Sequence, residues 1–196
     1  SAWRLVDKPG AGTDGVFFLA TQGFGAALAG PGLFRTTDDG ATMPRLGGGL
    51  PTVAFTSVEV DPADPNRVLA GTDYDYTLQP TDPSTPALWR SIDGGTNWLP
   101  VYSAGGTGIY QRVDAIAYGA GSRVYALVEA TKNGLYKSDD GGYKWELVNS
   151  ETPWVSNRPF YFQDIACDPE NENRLWLIYQ MIAASEDGGK NFKVVI

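Results

Sequence analysis

The chain has 196 residues, of which 42% are hydrophobic, 12% aromatic and only 19% charged; this excludes disorder, which needs few aromatics and dense charge. Fifteen basic against 23 acidic residues leave a net charge of −8, which disfavours nucleic acid as a partner, and no apolar run nears the ~18 residues of a membrane span. With no histidine and a single cysteine, Ser-His-Asp and Cys-His catalysis, imidazole metal sites and internal disulfides are excluded, and Cys167 is expected to be a buried core thiol.

In chain order, Ala2-Trp3-Arg4-Leu5-Val6 reads as a strand. Leu33 then precedes the first of four segments with the pattern Ser/Thr-x-Asp-x-Gly-x-x-large apolar, Thr36-Thr37-Asp38-Asp39-Gly40-Ala41-Thr42-Met43. Val58-Glu59-Val60-Asp61-Pro62 is a strand running into a turn, followed after Arg67 by a second strand, Val68-Leu69-Ala70. An insertion, Gly71-Thr72-Asp73-Tyr74-Asp75-Tyr76-Thr77-Leu78-Gln79-Pro80, separates these from Leu88 and the second segment, Ser91-Ile92-Asp93-Gly94-Gly95-Thr96-Asn97-Trp98. The strand pair recurs as Ala115-Ile116-Ala117-Tyr118-Gly119 and, after Arg123, Val124-Tyr125-Ala126-Leu127; Leu135 and Ser138-Asp139-Asp140-Gly141-Gly142-Tyr143-Lys144-Trp145 follow. It recurs again as Ile165-Ala166-Cys167-Asp168-Pro169 and, after Arg174, Leu175-Trp176-Leu177-Ile178, before Ile182 and Ser185-Glu186-Asp187-Gly188-Gly189-Lys190-Asn191-Phe192.

The four segments start 55, 47 and 47 residues apart. Their chemistry is that of a tight hairpin turn: the Asp carboxylate and the hydroxyl accept turn N–H groups, the glycine supplies a positive φ, and the closing aromatic starts the returning strand. Thr36, Asp38, Gly40, Ser91, Asp93, Gly95, Trp98, Ser138, Asp140, Gly142, Trp145, Ser185, Asp187, Gly189 and Phe192 are therefore expected to be fold-forming, and their spacing does not suit a calcium loop. Four strands per 47-residue unit is the content of a propeller blade, and no segment has a helical period, so the chain is expected to be an all-β propeller over 1–196 with repeats ending near 43, 98, 145 and 192. Trp3 matches Trp98, Trp145 and Phe192 in local sequence, so residues 1–6 are expected to be the outer strand of a blade. The chain then begins and ends at one phase, as either a closed four-bladed ring or a segment of a larger one.

The four segments identify a resemblance to the Asp-box, or BNR repeat, propellers, which include sialidases, xyloglucan-active two-propeller glycosidases and sortilin-type receptors. The chain most resembles bacterial sortilin-like BNR proteins, often labelled glycosyl hydrolases, through Asp61-Pro62-Ala63-Asp64-Pro65-Asn66-Arg67-Val68, Gly134-Leu135-Tyr136-Lys137 before Ser138, and Arg158-Pro159-Phe160-Tyr161-Phe162 before Asp164. The resemblance implies a secreted, extracellular or periplasmic protein with Asp-boxes at the blade periphery and ligand sites along the axis or ring face. It also implies other blades or another polypeptide as partners, a protein or glycan ligand, and neither cofactor nor metal. Members are usually much longer, which favours a segment. The arginine motif of sialidases is absent.

Two sets of residues could carry function. Aligning the inner strands places Ser57, Asp114 and Asp164 together near the ring centre, where two carboxylates could be the acid and base of glycoside hydrolysis or solvated channel residues. The insertion alternates Asp73 and Asp75 with Tyr74 and Tyr76, rings to stack on a sugar and carboxylates to accept its hydroxyls, or alternatively a surface loop. Gly71-Thr72-Asp73 is also similar to the stretch bearing a catalytic Asp in xyloglucan-active relatives. Two readings follow: a non-catalytic scaffold or binding module for protein or glycan, and a glycoside hydrolase or part of one.

Overall fold

The computed structural model describes residues 3–7, 15–21, 30–73, 86–102, 112–129, 133–156 and 163–196. The chain is all-β and consists of successive antiparallel blades. The first contains β1 (Trp3–Asp7), β2 (Phe17–Thr21) and β3 (Gly32–Thr36), with a bridge from Phe34 to Arg45 where its fourth strand returns. The second is β4 (Ala54–Val60), β5 (Val68–Asp73), β6 (Leu88–Ser91) and β7 (Leu99–Tyr102). The third is β8 (Arg112–Tyr118), β9 (Val124–Glu129), β10 (Gly134–Ser138) and β11 (Glu146–Asn149). The fourth is β12 (Asp164–Cys167), β13 (Leu175–Ile178), β14 (Ile182–Ser185) and β15 (Lys193–Val194). A single backbone pairing, Asp73 with Arg112, joins the second and third blades into one sheet.

Each core cluster lies between neighbouring blades. Phe18, Ala20 and Leu33 of the first blade pack on Val58, Val68 and Ala70 of the second. Leu69 and Leu88 of the second meet Ile116, Val124 and Ala126 of the third. Ala115, Tyr125, Leu127 and Leu135 of the third meet Ile165, Leu175 and Leu177 of the fourth. A central blade is thus buried on both faces, which is why β5 and β9 read as continuous apolar runs instead of alternating. Cys167, expected to be buried, is half-buried against the third seam, where its Sγ donates to the Ala117 carbonyl at 3.7 Å, and desolvation, with Glu59 adding to it, pushes the thiol up to about 12.

The hydroxyl–Asp–Gly turns share one hydrogen-bond pattern. In the third, the Ser138 hydroxyl accepts Gly142 N–H at 2.9 Å and donates to Asp140 Oδ1 at 2.8 Å, and that oxygen accepts the N–H groups of Tyr143 and Lys144. Thr36 with Asp38, Ser91 with Asp93 and Ser185 with Asp187 repeat this. The Trp98 and Trp145 indoles each donate at 3.0 Å to the carbonyl of the turn glycine, Gly95 and Gly142. Both glycines have positive φ, and each lies against the preceding blade, so a Cβ at Gly95 would stand 2.7 Å from the Phe18 ring.

Two expectations are corrected. Residues 3–7 are not an outer strand: β1 pairs with β2, Trp3 opposite Thr21, and is the first strand of the first blade, equivalent to β4 in the second. An alternating five-residue strand fits either edge of a blade, and pairing with β2 decides between them. A one-turn helix, α1 (Pro153–Ser156), is also present; four residues are too few to show a helical period.

Candidate functional site

Three described acidic residues, Asp73, Asp114 and Glu129, come together where the second and third blades join. Gly71 allows the approach: a Cβ there would lie 2.6 Å from Val113 Cβ, so only glycine admits β8 against β5 at this level. The buried Thr56 hydroxyl fastens the junction through the carbonyls of Gly71, at 3.4 Å, and Val113. Two residues beyond Gly71, Asp73 ends β5, and its backbone partner Arg112 begins β8.

Arg112 organises three acids. Its Nε lies 2.5 Å from Asp114 Oδ1 and its Nη1 3.6 Å from Asp73 Oδ2, and its backbone pairs with Glu129 at the end of β9. The side chains are 10% (Arg112), 11% (Asp73) and 3% (Asp114) exposed. Asp114 occupies the extra position of a β-bulge between Val113 and Ala115, which turns its side chain inward next to Arg112. Burial pushes its carboxyl up to about 7; Arg112 pulls down, while Glu129 and Asp73 push further up. Burial likewise raises Glu129, against Arg112 and with Asp73. Among the described residues, the buried Glu129 Oε2 atom has no hydrogen-bond partner. One guanidinium thus pairs with two carboxyls, with the Glu129 carboxyl adding a third negative charge to the surroundings, and burial together with this crowding favours the protonated form of Asp114.

The site expectations fare unequally. Asp73 and Asp114 are brought onto one guanidinium. Asp164 stands on the fourth blade, where its Oδ1 accepts the Ile165 N–H at 2.9 Å. The inner-strand alignment is out by one: Asp61, Gly119 and Asp168 make the same N–H bond to Arg67, Arg123 and Arg174, which places Thr56, not Ser57, beside Asp114, and Ser57 beside Ala115 and Asp164. The offset arises at the turn, where Asp61 answers to Gly119 and not to Tyr118; the bulges after Phe55 and Val113 then fall at the same position of the two strands. Asp75, Tyr74 and Tyr76 lie outside the described residues. Sequence reasoning missed Arg112 and Glu129; an arginine two residues before an aspartate in an otherwise apolar strand was the available signal. Among the described residues no group of three or more acidic, His or Cys side chains could hold a metal ion. A groove of about 540 Å³ lies elsewhere, at the edge between the third and fourth blades, lined by Asn149, Pro153, Lys190 and Phe192 among others.

No family model matches the chain. It is 28% identical over 211 aligned positions to a xyloglucanase of Hypocrea jecorina (strain QM6a), covering 100% of this chain and 25% of that protein. Among solved structures it is similar to an ancestral GH74 enzyme (TM-score 0.64, 18% identity, 98% of this chain and 25% of that one). It is similar also to the GH74 xyloglucanase of Xanthomonas campestris (TM-score 0.55, 17% identity, 89% and 24%). The fold is that of a β-propeller, and the chain spans about a quarter of the length of these relatives. No helix among the described residues is long and apolar enough to cross a membrane.

Proposed function

We propose that this chain is an Asp-box propeller segment of an extracellular, polysaccharide-directed protein, and that by itself it binds β-glucan chains of the xyloglucan type without cleaving them. The likeness to a xyloglucanase, which runs the whole length of the chain, supports the ligand class. The observation that carries the non-catalytic part is the placement of Asp114: its side chain is 3% exposed and engaged by Arg112, whereas a glycosidase acid must touch the leaving oxygen. The four hydroxyl–Asp–Gly turns act as blade fasteners in this reading, and the candidate sugar-binding groups are those of the insertion, Asp73, Tyr74, Asp75 and Tyr76.

A second reading, a glycoside hydrolase or part of one, is favoured by a single observation. Asp114 is held near 7 with a second carboxyl, Asp73, on the same arginine, and two carboxyls in one place, one of them raised, are what glycoside hydrolysis draws on. Affinity electrophoresis of the 196-residue chain in gels containing xyloglucan, together with a reducing-sugar assay, tests both. Retarded migration without sugar release is expected. Sugar release that disappears in Asp114→Asn overturns the non-catalytic reading, and unretarded migration overturns glycan binding.

A further inference from the structure

The rims of the first and third seams are built on one plan and finished differently. Counted from the turn hydroxyls of Ser91 and Ser185, Thr96, Asn97 and Trp98 of the second blade correspond to Lys190, Asn191 and Phe192 of the fourth. At the first seam the chain itself covers this stretch: the Gly48 carbonyl accepts the Trp98 N–H at 2.8 Å. Gly48 has φ +65°, and a Cβ there would collide with the Thr96 carbonyl oxygen, so only glycine lets the loop lie that close.

At the third seam the loop after β11 takes another course. Asn149, 6% exposed, folds it back: its Oδ1 accepts the N–H groups of Glu151 and Thr152, and its Nδ2 donates to Thr152 Oγ1 and, across the seam, to the Gly189 and Lys190 carbonyls. Val155 of α1 then anchors the loop in the core of the third seam. The loop stands off the fourth turn, and the groove of about 540 Å³ opens between Leu147, Ser150, Glu151 and Pro153 on one side and Lys190 and Phe192 on the other. Phe192 N–H, the counterpart of the Trp98 donor that Gly48 satisfies, has no acceptor among the described residues. Both walls are fixed by buried anchors, so the groove is formed before anything enters it.

We propose that this groove is a binding place for an uncharged β-glucan chain, separate from the Asp73–Arg112 junction. It rests on glycan binding by the chain and assigns that binding a second location. The volume falls within the ~300–1,000 Å³ of small-molecule sites. Leu147, 40% exposed, and the half-buried Phe192 supply apolar surface. The charged lining residues are one cation, Lys190, and one carboxylate, Glu151, both exposed; the groove carries no net charge and favours neither a polyanion nor a polycation. A neutral sugar chain offers what these groups require: apolar C–H faces for Leu147 and Phe192, hydroxyls that donate to Glu151, and hydroxyl oxygens that accept from Lys190 and the Phe192 N–H. The groove lies between two blades of this chain, with residues of both as its walls, and not on the outer face of the first or the fourth.

Amide NMR of the isotope-labelled 196-residue chain, titrated with a xyloglucan oligosaccharide, tests this. The Phe192, Lys190 and Glu151 signals should shift and saturate together. Leu147→Asp and Ser150→Trp, both at exposed wall positions, should each weaken the affinity read from these signals by about tenfold or more, with unchanged circular dichroism. Should Ser150→Trp not fold, Lys190→Ala, at an exposed position of the opposite wall, takes its place. Shifts confined to the surroundings of Asp73 overturn the groove and leave glycan binding standing. A chain that shows no shift anywhere and migrates unretarded in xyloglucan gels loses both. Groove shifts that persist unchanged in the wall variants, or that arise with an oligogalacturonate and not with xyloglucan, also overturn the proposal.

Discussion

Removing the Ser138 hydroxyl should cost more than removing the Asp140 carboxylate, although the aspartate is the more conspicuous member of the motif. Ser138 is 1% exposed, and its oxygen takes the N–H of Gly142, which the preceding blade buries. In Ser138→Ala that N–H is left dry and unpaired, which costs roughly 1–3 kcal/mol. Asp140 accepts N–H groups from Tyr143 and Lys144, both exposed; water replaces the carboxylate there, so Asp140→Ala should cost about 0.5–1.5 kcal/mol, the ordinary net worth of such bonds. For a chain of this size each kcal/mol moves Tm by roughly 2–4 °C. Thermal unfolding followed by circular dichroism, with urea titration as a second measure, gives the ranking directly. Ser138→Thr should be tolerated, since Thr36 makes the same bonds in the first turn. A larger loss in Asp140→Ala than in Ser138→Ala, or no loss in Ser138→Ala, would refute the reasoning.

Further outcomes follow from single contacts. Because the folded protein holds the Asp114 carboxyl at about 7, above its ordinary 3.8, its contribution is full below 3.8 and is lost as pH rises towards 7; melts of Asp114→Asn should lack this decline. Asp93 has the opposite sign: bonds from the Asn97 backbone and side chain hold it at about 2 instead of 3.8, so its contribution is present above 3.8 and is lost as pH falls towards 2. Acid titration of Asp93→Asn should show a shallower loss than the parent chain. Gly142→Ala should destabilise by more than about 1 kcal/mol in urea unfolding, since Gly142 has φ +90° and a Cβ would sit 3.0 Å from Leu69. Trp98→Phe keeps the ring but loses the 3.0 Å indole bond to Gly95; a cost of about 1 kcal/mol is expected in the same assay.

The sequence by itself determined everything that depends on near neighbours. Alternating and continuous apolar runs mark the strands, and Ser91-x-Asp93-x-Gly95-x-x-Trp98 with its three counterparts marks the hairpins, because every bond in such a turn spans four residues or fewer. A 47-residue period then leaves little choice but a blade. Tertiary structure decided what depends on register and on distant partners. The turn bonds of Asp61 and Gly119 set the inner-strand alignment one residue away from the match by eye, and the bulges that leave Thr56 and Asp114 as extra residues leave no mark in a pattern of apolar residues. Asp73 and Arg112 lie 39 positions apart, with an insertion between them, and meet only because Gly71 lets β8 close on β5. The place of Trp3–Asp7 at the inner edge of the first blade was likewise a matter of pairing, since one alternating strand serves either edge. The raised carboxyl of Asp114 belongs to this second group: burial and a shared guanidinium are properties of the assembled seam, and no residue of the cluster has them in the extended chain.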